Sequence, residues 1–335
     1  LAGGGALLHT ISGAQGWNAE TRRKAVHVWT GLVCLTFPLL FRAAWPVWVL
    51  AGGALSLLLV VRGVPVLRAG AGASLHGVKR VSYGELLFAP AVALVFTGSL
   101  GRAELFVIPV LILTAADAAA ALAGTRWGTH VYGARSGWKS VQGSVAFAAV
   151  AALSAWAPLV FGWGVDAVRA GLIAGSLALV AMMIEGIADR GFDNLTIPLV
   201  THVLLRRLLE SSAAELGMCF TVAAGLLAVV IAARRSTTLD GGAMLGVALL
   251  GFMAGVVGGL PFLGPLLGVF AAHVLATRQH ALTLTVSHGM DAVLGIAIVA
   301  VPWVLAREPL GVGLAVAGLG CGMQCKLTLM HLSPA

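Results

Sequence analysis

Residues 105–124 read LFVIPVLILTAADAAAALAG, twenty positions whose only charged side chain is Asp117. About 20 consecutive apolar residues are what a helix needs to cross the hydrocarbon of a bilayer. The run does not alternate polar with apolar, as a barrel strand must. It predicts a membrane-spanning helix, and Asp117 is its anomaly. A carboxylate in such a run is costly, so it is retained for work or tightly paired. Ala118 to Ala121 and Gly124 add little bulk, so a neighbouring helix or a ligand can approach closely.

Composition extends this reading to the whole chain. Of 335 residues, 59% are hydrophobic and 10% charged, where a soluble domain carries about a quarter charged. The fold class expected is an all-α polytopic membrane bundle of ten to twelve spanning or re-entrant segments. They fall near 26–42, 45–61, 86–98, 104–123, 143–163, 168–186, 213–233, 242–259, 261–277, 285–305 and 309–325. Segment 196–209 is short and ends in Arg206-Arg207, which suits a helix lying at the interface. Cys34, Cys219, Cys321 and Cys325 lie in apolar surroundings without a CxxC spacing, and read as packing residues. The opening LAGGGALLHTISGAQGW lacks a basic n-region and does not read as a signal peptide.

Loop charges orient the first six segments. If all six cross, the connections at 20–25, 62–85, 124–142 and 187–195 share one side and hold eleven Lys and Arg residues. The opposite connections hold only Arg42, Arg102 and Arg169. The positive-inside rule places the first set in the cytoplasm, and makes nucleic acid an unattractive partner for the net charge of +8.

The polar motifs of the first 200 residues lie on that same side. Glu20, Arg23, Lys24, His27 and Gly31 share one helical face, a pattern that also fits an interfacial anchor. Ser82-Tyr83-Gly84-Glu85 leads into an apolar helix, and Ser82 with Glu85 matches a capping box. Downstream of Asp117, Lys139-Ser140 and Gly143-Ser144 sit where a helix should begin, and free N–H groups at a helix start suit phosphate. GARSGWKS is one residue from a Walker A motif, but Trp138 occupies the second glycine position and no strand is expected before it, so a P-loop is rejected. Lys139 remains a point charge for phosphate, with Ser140 and Ser144 as donors. Glu185, Asp189, Asp193 and Asn194 gather oxygen ligands of the kind that suits Mg²⁺ or Ca²⁺; a solvated turn is the plainer account.

Taken together, these stretches resemble the phytol kinase/dolichol kinase family of CTP-dependent polyprenol kinases. The residues that carry the likeness are E-x-x-R-K-x-x-H from Glu20 to His27, Ser82 to Leu86, Asp117 with Gly124 and Gly128, Lys139-Ser140-x-x-Gly143-Ser144, Glu185, and Gly191-x-Asp193-Asn194 with Pro198. They cover about residues 20 to 200, and phytol kinases look closer than dolichol kinases. The resemblance implies phosphoryl transfer from a nucleoside triphosphate, typically CTP, to a lipid alcohol drawn from the bilayer. On that basis Lys139, Ser140, Gly143 and Ser144, with Arg23 and Lys24, would bind phosphate. Asp117, Glu185, Asp193 and Asn194 would hold Mg²⁺ or another divalent cation. Asp117 would ligate the metal or accept the alcohol's proton, with Lys139 as its catalytic partner. Glu20, His27, Ser82, Glu85, Gly124 and Gly128 would support the site. The protein would be integral to the membrane, in the cell membrane if bacterial, with the site facing the cytoplasm.

Residues 1–210 thus read as a lipid-alcohol kinase-like domain and 211–335 as further transmembrane helices. Ser236 to Gly242, with Ala276-Thr277-Arg278, resembles the start of the phytyl-phosphate kinase family without its later acidic motifs; glycine-rich helix packing accounts for the same residues. His202 and His273 read as packed or interfacial. Two rival readings use the same polar groups. One is a cytidylyltransferase making a CDP-activated lipid, whose later Lys-Asp signature is not found. The other is an ion-coupled transporter built on Asp117, for which internal repeats are missing.

Overall fold

The computed structural model describes residues 19–63, 82–134, 137–277 and 288–306. It is helical almost throughout. Helix α1 spans Ala19–Cys34, α2 Phe37–Leu40, α3 Trp45–Gly63 and α4 Gly84–Gly98. The apolar run that contains Asp117 is one long rod, α5 (Glu104–Leu111) and α6 (Asp117–Trp127), joined by a π turn at Ile112–Ala116. A hairpin of two short strands, β1 (Val131–Ala134) and β2 (Gly137–Ser140), leads into α7 (Val141–Ala157). Then come α8 (Ala167–Ile187), α9 (Asp193–Glu210), α10 (Ala213–Ala233), α11 (Gly241–Met253), α12 (Leu263–Thr277) and α13 (Met290–Leu305).

Among the described residues, seven helices are long and apolar enough to cross a membrane: Trp45–Gly63, Glu104–Trp127, Val141–Gly162, Ala167–Ile187, Ala213–Ala233, Gly241–Gly258 and Leu260–Thr277. Gly84–Gly98 and Met290–Leu305 are apolar but shorter. The all-α membrane bundle is thus the observed fold class. The expected segment at 309–325, with Cys321 and Cys325, lies outside the described residues. So do Arg278, Lys79 to Val81 and the side chain of Glu20. Cys34 and Cys219 are buried and unbridged, as packing residues should be.

The chain forms two compact units, Leu1–Val131 with Lys139–Gly217, and Tyr132–Trp138 with Met218–Ala335. In the first, α7 packs on α6 and α8, α9 on α4 and α8, and α3 on α4. Helix α1 runs antiparallel to the α5–α6 rod. Lys24 lies on Asp117, Gly31 lies on Thr114, and the Phe37 ring stacks on Phe106 at 6.4 Å between centroids. In the second unit, Ala254, Phe262, Leu266, Ala300 and Val304 form a small core. There Thr238 holds His288 Nδ1 at 3.0 Å and approaches His273 Nε2 at 3.5 Å.

Three expectations change. Segment 196–209 does not lie flat at an interface. Helix α9 packs lengthwise on α8, and Arg169 near the start of α8 donates to the carbonyls of Leu209 and Ser211 at its end. The paired arginines misled because they close a helix packed lengthwise within the bundle; Ile197, Thr201, Leu205 and Leu208 are buried all along it. The expected span at 26–42 is continuous only to Cys34, then turns at Leu35–Thr36 into the short α2, where Pro38 fits a first helical turn. Finally, two short strands, β1 and β2, run through the GARSGWKS stretch, before which no strand was expected; Lys139 lies within β2.

Candidate functional site

The functional candidates of the first unit collect at one end of its bundle. The opposite end carries a separate polar network, Arg102 with Glu104 at 2.9 Å and Glu210 at 3.0 Å.

The approach of α6 to α7 sets the frame. Ser140 is extended and caps α7, its hydroxyl accepting the Gly143 N–H at 3.1 Å. A Cβ at Gly143 would stand 3.0 Å from the Ala120 carbonyl oxygen, and one at Gly124 3.1 Å from Ser140 Oγ. Only glycine lets the helices cross this closely, which is the part the small-residue stripe plays. At Gly128, a Cβ would press on the Gly124 carbonyl and on Ser140.

The π turn then aims Asp117. It inserts the equivalent of one residue, rotating α6 by roughly 100° relative to an unbroken helix. Asp117 consequently faces α1, buried, with its Oδ1 accepting from Lys24 Nζ at 2.5 Å. His27 Nε2 stands 3.6 Å from the other carboxylate oxygen and, though buried, has no hydrogen-bond partner. The His27 ring hydrogen-bonds instead to the backbone of Leu113, inside the π turn.

A second pair lies beside the first. Lys139 Nζ donates to Glu185 Oε1 at 2.6 Å and to the Glu185 carbonyl. Asp117 and Asp193 both lie within electrostatic range of the Glu185 carboxylate, which ties the two pairs and the start of α9 into one site. The turn between α8 and α9 is held in an uncommon shape: Arg190 and Gly191 have φ of 50° and 88°. That shape lets the Arg190 carbonyl accept the Tyr83 N–H at 2.7 Å and brings Gly191 onto Gly84. A Cβ on Gly84 would stand 2.7 Å from Asn194 Nδ2. The Ser82–Glu85 corner and the Gly191–Asn194 turn are therefore one packed unit.

No capping box forms at that corner. Tyr83 is the residue before the helix, Ser82 Oγ accepts the Gly84 N–H at 3.2 Å, and the Glu85 carboxyl faces Arg23 and Arg62 electrostatically. Arg62 also sits over the Tyr83 ring, 5.1 Å from its centroid.

Lys24 and Lys139, expected on phosphate, each neutralise a carboxylate that was expected on metal. Asp193 Oδ1 accepts the N–H of Asn194, and Asp189 lies 3.6 Å from Arg190. Among the described residues no three His, Cys, Asp or Glu side chains are gathered as metal ligands. His202 is a packed residue, bonded through Nδ1 to the Leu105 carbonyl at 2.9 Å and to Ser99 at 3.2 Å.

Beside the site lies a cavity of about 190 Å³ between α1, α3 and α4. Its walls are apolar but for the Thr30 hydroxyl, and its other polar lining, Arg23, His27, Glu85 and Asn194, is at the end nearest Asp117. Sequence reading offered no signal for it. The π turn had only a faint one, Pro109, whose missing N–H weakens the helix one turn earlier.

Comparison with known proteins adds a family. A phytol kinase of Synechocystis sp. is 31% identical over 186 residues, 54% of this chain and 76% of that protein. No family model and no solved structure matches the chain.

Proposed function

The chain belongs to the phytol kinase family, and from that premise we propose that it moves the terminal phosphoryl group of a nucleoside triphosphate, CTP, to the hydroxyl of an isoprenoid alcohol such as phytol. One observation carries the reading: two lysine–carboxylate pairs, Lys24–Asp117 and Lys139–Glu185, side by side next to the capped start of α7. A buried ion pair is a poor way to stabilise an apolar bundle, since hydrophobic residues of the same volume serve as well or better. Two of them together are better explained as charges held ready.

A triphosphate changes their balance. Its oxygens compete for both ammonium groups, and Lys139, Lys24 and Arg23 turn to phosphate, with Ser140, Ser144 and the first N–H groups of α7 as further donors. The carboxylates are then released. Glu185 and Asp193, with the Asn194 amide, would be the residues to hold a divalent cation, which would supply positive charge to the phosphates. Asp117, freed from Lys24, accepts the alcohol's proton. The alcohol oxygen forms a bond to the terminal phosphorus as the bridging P–O bond breaks, and the nucleoside diphosphate leaves with that electron pair. Such transfer needs positioning and charge more than covalent help from protein. A lipid alcohol presents its hydroxyl at headgroup depth. The eleven basic residues of the connections that carry these motifs favour the cytoplasmic side, where nucleotide is found.

Membranes containing the protein, given phytol and CTP labelled in either the γ- or the α-phosphate, test this. Lipid acquires the γ label. Incorporation of the α label instead identifies a cytidylyltransferase, and no label in lipid removes both readings.

A further inference from the structure

The cavity between α1, α3 and α4 is the feature that the phosphate chemistry leaves unused. We infer that it holds the hydrocarbon chain of the acceptor alcohol, with the hydroxyl against His27 Nε2. The reaction of that hydroxyl rests on the kinase reading, but the geometry speaks for the ligand separately.

The cavity has a head and a tail. At the head are His27, Glu85, Arg23 and Asn194; below them every lining side chain is apolar except the Thr30 hydroxyl, which is spent on the Val26 carbonyl at 2.8 Å. The His27 ring borders the cavity and is fixed by the Leu113 backbone, and its Nε2, itself buried, lacks a hydrogen-bond partner. A buried polar atom without a partner is costly, so such an atom usually has one in the working state. A ring that donates through Nδ1 to Leu113 leaves Nε2 a lone pair. The complementary group is a donor on an otherwise apolar molecule, which describes an alcohol. From that point the same O–H can turn from Nε2 to the Asp117 carboxylate, whose Oδ2 stands 3.6 Å from Nε2, and be given up there when the alcohol reacts.

Length supports the assignment. From Val47 to Leu58 the α3 wall rises eleven residues, about 16 Å at 1.5 Å each. An extended carbon chain advances roughly 1.25 Å per bond, given C–C bonds near 1.5 Å, so about thirteen bonds fit alongside. Ala51, Ala54 and Ala89 face inward and leave room for methyl branches. An isoprenoid carries one on every fourth carbon, roughly 5 Å apart in extension, close to the 5.4 Å rise of a helical turn. Leaving lipid for such a cavity gains the chain little, because bilayer tails are as apolar as the walls. What it provides is orientation: a tethered chain fixes where the hydroxyl points.

The test uses the full chain in nanodiscs, a phytol analogue with a diazirine at the far end of its chain, and an Ala54→Phe variant. Labelling is expected near Cys34, Phe37 and Leu50 and is lost in Ala54→Phe. The ratio of kcat/KM for phytol over geraniol is expected to fall at least tenfold in that variant. Leu57→Phe, at a position half exposed on the outer side of α3, leaves both readouts unchanged. Should Ala54→Phe not fold, Ala89→Leu narrows the same space from α4. Labelling spread over the outer helix faces, or a chain-length ratio indifferent to both fillings, overturns the inference even if phosphate transfer proceeds. Labelling confined to the cavity and blocked by filling upholds it even if no alcohol is phosphorylated, in which case the kinase reading alone has failed.

Discussion

Asp117→Asn is the sharpest perturbation of this site. It leaves the Lys24 ammonium, whose side chain is 10% exposed, facing a neutral amide across 2.5 Å. Removing one member of a buried pair costs about 3–5 kcal/mol. The asparagine oxygen still accepts one hydrogen bond and a little water reaches the pair, so the lower end, about 3 kcal/mol, applies here. For a unit of this size each kcal/mol moves Tm by roughly 2–4 °C, which predicts a fall of about 6–12 °C. Lys24→Met strands the carboxylate and is expected to lose a similar amount. The double variant Lys24→Met/Asp117→Leu has neither charge and should recover to within about 1 kcal/mol of the parent, since apolar residues replace buried pairs at little cost. Activity should not track stability. All three variants lose transfer of the γ label to phytol by at least ~100-fold, because the proton acceptor, a charge aimed at the reacting phosphate, or both are gone. Thermal unfolding in detergent and a radiolabel transfer assay, run on the same preparations, separate the two effects. A double variant that regains both stability and turnover would show the pair to be structural. A single variant with unchanged Tm and turnover would refute the pairing and its role together.

The second pair and the glycine contacts respond in their own ways. Lys139→Ala should weaken nucleotide binding at least tenfold, about 1.4 kcal/mol, by equilibrium dialysis with labelled CTP. Glu185→Gln, which leaves Lys139 in place, should instead raise the divalent-cation concentration needed for half-maximal transfer. Gly84→Ala pushes a methyl to 2.7 Å from Asn194 Nδ2 and should destabilise by about 1–3 kcal/mol. Gly191→Ala adds a left-handed backbone penalty to a clash with Gly84 and should cost more, again read from Tm. At the opposite end, Arg102→Ala breaks a part-buried pair with Glu104 and an exposed one with Glu210; it should cost about 1 kcal/mol and leave transfer intact.

Part of the candidate site's local geometry was legible in the sequence. Asp117 stood out because a charge in a twenty-residue apolar run is expensive wherever that run ends up. Lys139, Ser140 and Gly143 were readable as a helix start because capping chemistry is local, and Ser140 does cap α7. Local patterns misled where two accounts shared one signature. Ser82 and Glu85 had the spacing of a capping box, yet docking against Gly191 shifted the helix start and gave both side chains other partners. The arginines closing α9 suited an interfacial helix equally well.

Composition, apolar run length and loop charge alone determined that this is a helical membrane protein with its polar motifs on one face, because the bilayer imposes those constraints on each segment separately. Which lysine meets which carboxylate was decided only by the fold. Lys24 and Asp117 are 93 residues apart, Lys139 and Glu185 46. Their meeting depends on glycines that let α6 and α7 touch and on a π turn that rotates Asp117 toward α1. The cavity beneath His27 belongs to the same class of fact. It is a space left where three helices fail to close on one another, and an empty space has no residues of its own by which a sequence could announce it.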